Sequence, residues 1–109
     1  MNLFMRVYGN CENQEQAKDI STGIRRALAK FQLSDRMASK PYWKVPELFE
    51  FTYDLTPATQ SSFLDIVNLC GIGWLHMGDG LDRSSVWNRV EGTVFLTPAV
   101  SWAELSLSP

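Results

Sequence analysis

Leu3, Met5 and Val7 alternate with Phe4, Arg6 and Tyr8 at the start of the chain. The period of two predicts a strand, and the aromatic residues in the second set predict cover on both of its faces. Gly9-Asn10 ends it. Asn13 is placed to cap a helix, with Gln16 three residues on, and Ala17, Ile20, Ile24, Ala27, Leu28 and Phe31 then recur at helical spacing. Residues 32–46 read as irregular and polar, broken by Pro41 and Pro46. In the next segment Phe49, Phe51, Tyr53 and Leu55 alternate with Glu50, Thr52 and Asp54, the pattern of a half-buried strand.

Thr56-Pro57 has the form of a helix start. Phe63, Ile66, Val67 and Cys70 form the apolar stripe of that helix, and Gly71 supplies its stop. Ile72–Met77 is predicted as a third strand and Ser85–Arg89 as a fourth, with the Asp79-Gly80 turn between them. Val94, Leu96, Val100 and Trp102 alternate, and Ala103, Leu105 and Leu107 then take over the apolar positions. That change of parity predicts a bulge or bend near Trp102, and Pro98 predicts an edge strand or two short strands. The expected order is β-α-β-α-β-β-β. Two helices with one apolar face each must lie against a sheet. The expectation is an α+β domain over residues 1–109, with both helices on one face of a four- to five-stranded, mixed or mostly antiparallel sheet.

With 109 residues, 45% hydrophobic and 20% charged, the chain can bury one core without disulfides or metals. The net charge of -2 argues against nonspecific attraction to nucleic acid or acidic membranes. Its distribution is uneven: residues 1–44 hold eight Lys/Arg and four Asp/Glu, whereas residues 45–109 hold two and eight. If the later elements shared a face, that face would be acidic and would suit a basic partner. Cys11 and Cys70 are too sparse for a disulfide framework and read as buried thiols of a reducing compartment. No long apolar run or leader-like segment is visible, so a cytoplasmic protein is expected.

Candidate chemistry centres on residues 76–89, where the apolar rhythm breaks and His76, Asp79, Asp82, Arg83, Asn88 and Arg89 gather around two glycines. The chain has one histidine, no Cys-x-x-Cys and no His-x-x-x-His, so no metal or cofactor is expected. The glycine pairs do not form a phosphate loop. An enzyme would have to use His76 with Asp79 or Asp82 in a cleft. Glu50 and Asp54 share one strand face but stand roughly 13 Å apart, too far to share a proton. The first helix offers Arg25, Arg26 and Lys30 to RNA phosphates, against the acidic second half. Of the four tryptophans, Trp74 and Trp102 sit in apolar strands, while Trp43 and Trp87 have polar neighbours. Protein binding is the better reading of such a surface, because exposed Trp, Tyr and Arg anchor interfaces.

Three segments carry a resemblance: Pro41-Tyr-Trp-Lys-Val-Pro-Glu-Leu-Phe-Glu50, Asp82-Arg-Ser-Ser-Val-Trp-Asn-Arg89 and Phe95-Leu-Thr-Pro-Ala-Val-Ser-Trp-Ala-Glu-Leu105. In size, texture and tryptophan-bearing C-terminal strands the chain resembles small immunity proteins made beside bacterial contact-dependent inhibition and other polymorphic toxins. The resemblance implies a cognate toxin domain as partner, often a basic nuclease, inhibited by covering its active site or blocking its substrate. It implies no catalytic role for any residue. The expected partner-binding residues are Glu50, Asp54, Asp79, Asp82, Arg83, Trp87, Asn88, Arg89 and Glu91, with the carboxylates speeding association and Trp87 and Arg89 as central anchors.

Overall fold

The opening alternation forms β1 (Asn2–Asn10), the centre of the molecule. The computed structural model, which describes residues 1–109, continues with α1 (Gln14–Ala27), β2 (Gln32–Tyr42), β3 (Val45–Thr56), α2 (Gln60–Val67), β4 (Trp74–Asp79), β5 (Asp82–Asn88) and β6 (Val100–Ser108). The six strands form one sheet in the order β2-β3-β1-β6-β5-β4, and every neighbouring pair is antiparallel. Removing the β4-β5 hairpin leaves β-α-β-β-α-β with its four strands ordered β2-β3-β1-β6. This is the ferredoxin-like connection, and the hairpin extends the sheet beyond β6.

Both helices lie on one face. On that face Leu3, Met5 and Val7 of β1 meet Phe49, Phe51, Tyr53 and Leu55 of β3 and Ala103, Leu105 and Leu107 of β6 in a single buried cluster. Ala17, Ile20 and Ile24 close it from α1, and Phe63 and Ile66 from α2. The Ser21 and Tyr53 hydroxyls bond at 2.9 Å, joining α1 to β3. The Arg83 guanidinium stacks 4.7 Å from the centre of the Phe63 ring, joining β5 to α2. Cys11 and Cys70 are free and buried.

The caps explain where the helices begin. Asn13 accepts a hydrogen bond from the Gln16 amide at 2.9 Å, while Gln16 Oε1 accepts one from the Glu12 amide at 2.8 Å. The reciprocal cap satisfies amides that the first turn leaves free. The second helix starts later than Thr56-Pro57 predicts. Thr56 is the last residue of β3, paired with Gln32, and Thr59 is the cap, accepting from the Ser62 amide at 3.1 Å.

Three further expectations change. Residues 32–42 are not irregular: they form edge strand β2, whose period is hidden by three register shifts and by polar residues that need cover on one side only. The strand count is therefore six rather than four or five, and the order is β-α-β-β-α-β-β-β. The last strand starts at Val100, beyond Pro98, and lies in the interior between β1 and β5 rather than at an edge. The bulge expected near Trp102 is present. Tyr8 pairs with Trp102 and Gly9 with Val100, so Ser101 is the extra residue.

Candidate binding surface

The second face of the sheet has no helix over it, contrary to the two-sided cover that Phe4 and Tyr8 suggest. Register places Phe4, Arg6 and Tyr8 of β1 beside Asp54, Thr52 and Glu50 of β3 and beside Ser106, Glu104 and Trp102 of β6. Long side chains of the sheet shield one another instead. Arg36 lies 4.1 Å and Arg6 5.4 Å from the centre of the Phe4 ring.

One end of this open face is aromatic. The Tyr8 ring stands 4.6 Å from Tyr42 on β2 and 5.0 Å from Trp102 on β6, centre to centre. The row continues to Trp43, 6.1 Å from Tyr42. Trp43 and Lys44 form the two-residue loop between Tyr42 and Val45, and this position leaves Trp43 79% exposed. Lys44 Nζ, 5.0 Å from the Trp43 ring centre, is its one cationic neighbour.

Of the five carboxylates expected to form an acidic surface, the two on β3, Glu50 and Asp54, are neutralised. Glu50, with its side chain only 12% exposed, is held by Arg6 at 3.0 Å and faces Lys40 at 3.9 Å. Arg6 also reaches Glu104 at 3.4 Å, and Arg36 grips Asp54 at 2.5 Å. Lys30 pairs with Asp65 at 2.6 Å. Every cation in these pairs comes from the first 44 residues, and those on the sheet reach Glu50 and Asp54 because β1 and β2 flank β3. The expected acidic half is thus mixed with its basic counterpart. The exposed Arg36–Asp54 and Lys30–Asp65 pairs contribute little to stability.

Tyr8 donates to Glu50 Oε2 at 3.3 Å. Burial first, then the charge of Glu50 and the neighbouring Tyr42, push the Tyr8 hydroxyl up to about 12. Burial raises Tyr53 as well. A phenol whose folded-state pKa lies above its unfolded value supports folding below the unfolded value of roughly 10 and loses that support as the pH climbs through the folded one. Stability should therefore fall between pH 10 and about 12. Denaturant titrations across this range should show a smaller fall for Tyr8→Phe; an equal fall would exclude Tyr8 as a source.

The remaining predicted site residues are dispersed. Trp87, expected as a central anchor, is 0% exposed: its indole donates to the Ile72 carbonyl at 2.9 Å and its ring lies 5.4 Å from Phe95. It is a core residue and cannot meet a partner. Arg83 is spent on Phe63. The Arg89 guanidinium donates to the Pro98 and Val100 carbonyls, pinning the β5–β6 loop. Asn88 is exposed opposite Trp102. Glu91 is exposed in the β5–β6 loop, and Asp79 and Asp82 pair at the far end of the β4-β5 hairpin. Glu50 and Asp54 on β3 stand four strands from β4, roughly 19 Å across the sheet, so the nine residues do not form one patch.

His76 is exposed, bonded through Nδ1 to Ser85 Oγ at 2.6 Å and stacked beside Trp74. It lines none of the surface clefts, and Asp79 and Asp82 lie three residues further along the hairpin. The cleft that a histidine–aspartate enzyme needs is not formed there. Two of the cations expected on an RNA-binding helix are also engaged: Arg25 with Asp35 at 2.7 Å, and Lys30 with Asp65. No three His, Cys, Asp or Glu side chains gather to hold a metal, and no helix is long and apolar enough to cross a membrane.

These elements define an uncovered face of an antiparallel sheet, with an aromatic end and internally paired charges. No protein-family model, curated protein or solved structure matches the chain.

Proposed function

We propose that the chain is an immunity protein that binds a cognate toxin domain and covers its active or substrate-binding site. The open sheet face supplies the contact, and the exposed Trp43, continuous with Tyr42, Tyr8 and Trp102, is the observation that carries this reading. A tryptophan held on a two-residue loop presents a large apolar area with little ordering cost on binding. The resemblance of the three segments to immunity proteins supports the choice of a toxin as partner. Asp79, Asp82 and Glu91, free of ion pairs, would steer a basic partner such as a nuclease during encounter without forming the contact core.

Co-expression with the toxin domain encoded immediately upstream is the direct test. The wild-type chain should restore growth and co-purify as a stoichiometric complex. Reversing Asp79 and Asp82 together should slow association, most clearly at low salt, while leaving the dissociation rate nearly unchanged. Failure to protect, or an upstream gene of metabolic character, would reject the reading.

A further inference from the structure

Edge strand β2 is longer than the part of β3 it covers. Asp35 pairs with Tyr53 and Lys40 with Glu50, so six residues of β2 run against four of β3. The surplus bows β2 away from its neighbour. Helix α1 runs beside the bow and is tied down at both ends of it. Gln14 donates to the Ser39 carbonyl at 3.3 Å, while Arg25 donates to the Leu33 carbonyl at 3.3 Å and to Asp35 at 2.7 Å. Between these ties lies a cleft of about 220 Å³, lined by Lys18, Ser21, Met37, Ala38, Phe51 and Tyr53. That is roughly the share of seven water molecules in the liquid.

The hydroxyl pair between α1 and β3 leaves a proton over. Two hydroxyls that share one hydrogen bond use only one of their two protons, and neither Ser21 nor Tyr53 makes a second side-chain bond within the protein. Tyr53 is 1% exposed and its burial keeps the phenol protonated, whereas Ser21 is only partly buried. The phenol therefore donates to Ser21, and the Ser21 proton is left for the cleft. Lys18 lies one turn before Ser21 on the same helix face and makes no ion pair. Asp35, the one carboxylate in the lining, is taken up by Arg25. Lys18 and Arg25 together outweigh it, so the polar side of the cleft is cationic and rich in donors. The facing side chains of Met37, Ala38 and Phe51 are apolar.

We propose that this cleft binds a short-chain monocarboxylate, with the carboxylate held by Lys18 and Ser21 and the apolar body against Met37, Ala38 and Phe51. The volume admits a chain of a few carbons and is below the usual range for larger ligands. A bare inorganic anion leaves the apolar wall unfilled. A neutral amide of the same shape gives up the charge-assisted bond to Lys18. The site lies on the helix-bearing side of the sheet and uses none of the aromatic residues of the open face, so it stands independently of the toxin contact.

Butyrate titrated into the full chain, followed by amide chemical shifts, should move residues 18–22 and 35–39 saturably and raise the melting temperature in step. Lys18→Met should weaken binding about ten-fold or more, and Ser21→Ala about five-fold. Arg26→Met removes another exposed cation of α1, one that does not line this cleft, and should leave affinity unchanged. Butyramide and inorganic phosphate should each bind about ten-fold more weakly than butyrate, or worse. Circular dichroism confirms that each variant is folded, and the ligand comparison on the wild-type chain decides even if a variant is not. Shifts scattered over the surface, butyramide or phosphate bound as tightly as butyrate, or undiminished binding by folded Lys18→Met would overturn the proposal.

Discussion

Trp87→Ala is expected to lower the free energy of unfolding by about 3–5 kcal/mol, as for other buried aromatic truncations. The cost arises in two ways. The side chain is wholly buried against Phe95, so its removal leaves a cavity that the surrounding strands cannot readily close. It also strips the Ile72 carbonyl of its indole donor. Gly73 ties the same ring to the chain: a Cβ there would stand 2.6 Å from the Trp87 indole nitrogen, and its φ of 104° already favours glycine. The indole therefore fixes how the chain enters β4. Trp87→Phe keeps much of the volume and loses the hydrogen bond, so it should cost less, about 1–2 kcal/mol. Denaturant unfolding measures both, and a loss below 1 kcal/mol for the alanine variant would contradict this account of the core.

Trp43→Ala should do the reverse. Its ring is exposed, so stability should stay within about 0.5 kcal/mol of wild type. Affinity for the toxin domain should fall by about 2 kcal/mol or more, roughly thirty-fold, the usual effect of truncating a central interface tryptophan. Calorimetric titration with the purified toxin domain, paired with a melting curve, separates the effects. Unchanged affinity would move the contact away from the aromatic end of the sheet. The two variants dissociate the tryptophans that sequence reading grouped together: one supports the fold, the other the proposed contact.

Their confusion has a physical origin. On β5 the positions that share Trp87's face are Arg83 and Ser85, and neither reads as core. Arg83 is accommodated by stacking on Phe63, and Ser85 is buried against His76. Polar neighbours thus disguised a core strand. Trp43 carried the opposite ambiguity, because its exposure depends on a hairpin between β2 and β3 that is invisible while β2 reads as loop. The apolar stripes of α1 and α2, the Asn13–Gln16 cap, the strand at Phe49–Leu55 and the Ser101 bulge were all legible, since each rests on local spacing or on a break in it. The charge asymmetry was visible too, but its meaning depended on topology. Only the insertion of β1 between β3 and β6 brings Arg6 to Glu50 and Glu104.

That insertion also governs how the chain reaches its fold. The first strand is bordered on one side by the last, with Asn2 set opposite Ser108. A nascent chain carries Leu3, Met5 and Val7 through most of its synthesis before Ala103, Leu105 and Leu107 can cover their flank. Such long-range closure places folding toward the slow, high-contact-order end of small domains, on the order of milliseconds to seconds. Until then β1 offers an apolar, unpaired border to any other chain nearby. The residues that make the finished centre continuous are also those most exposed to premature pairing during synthesis.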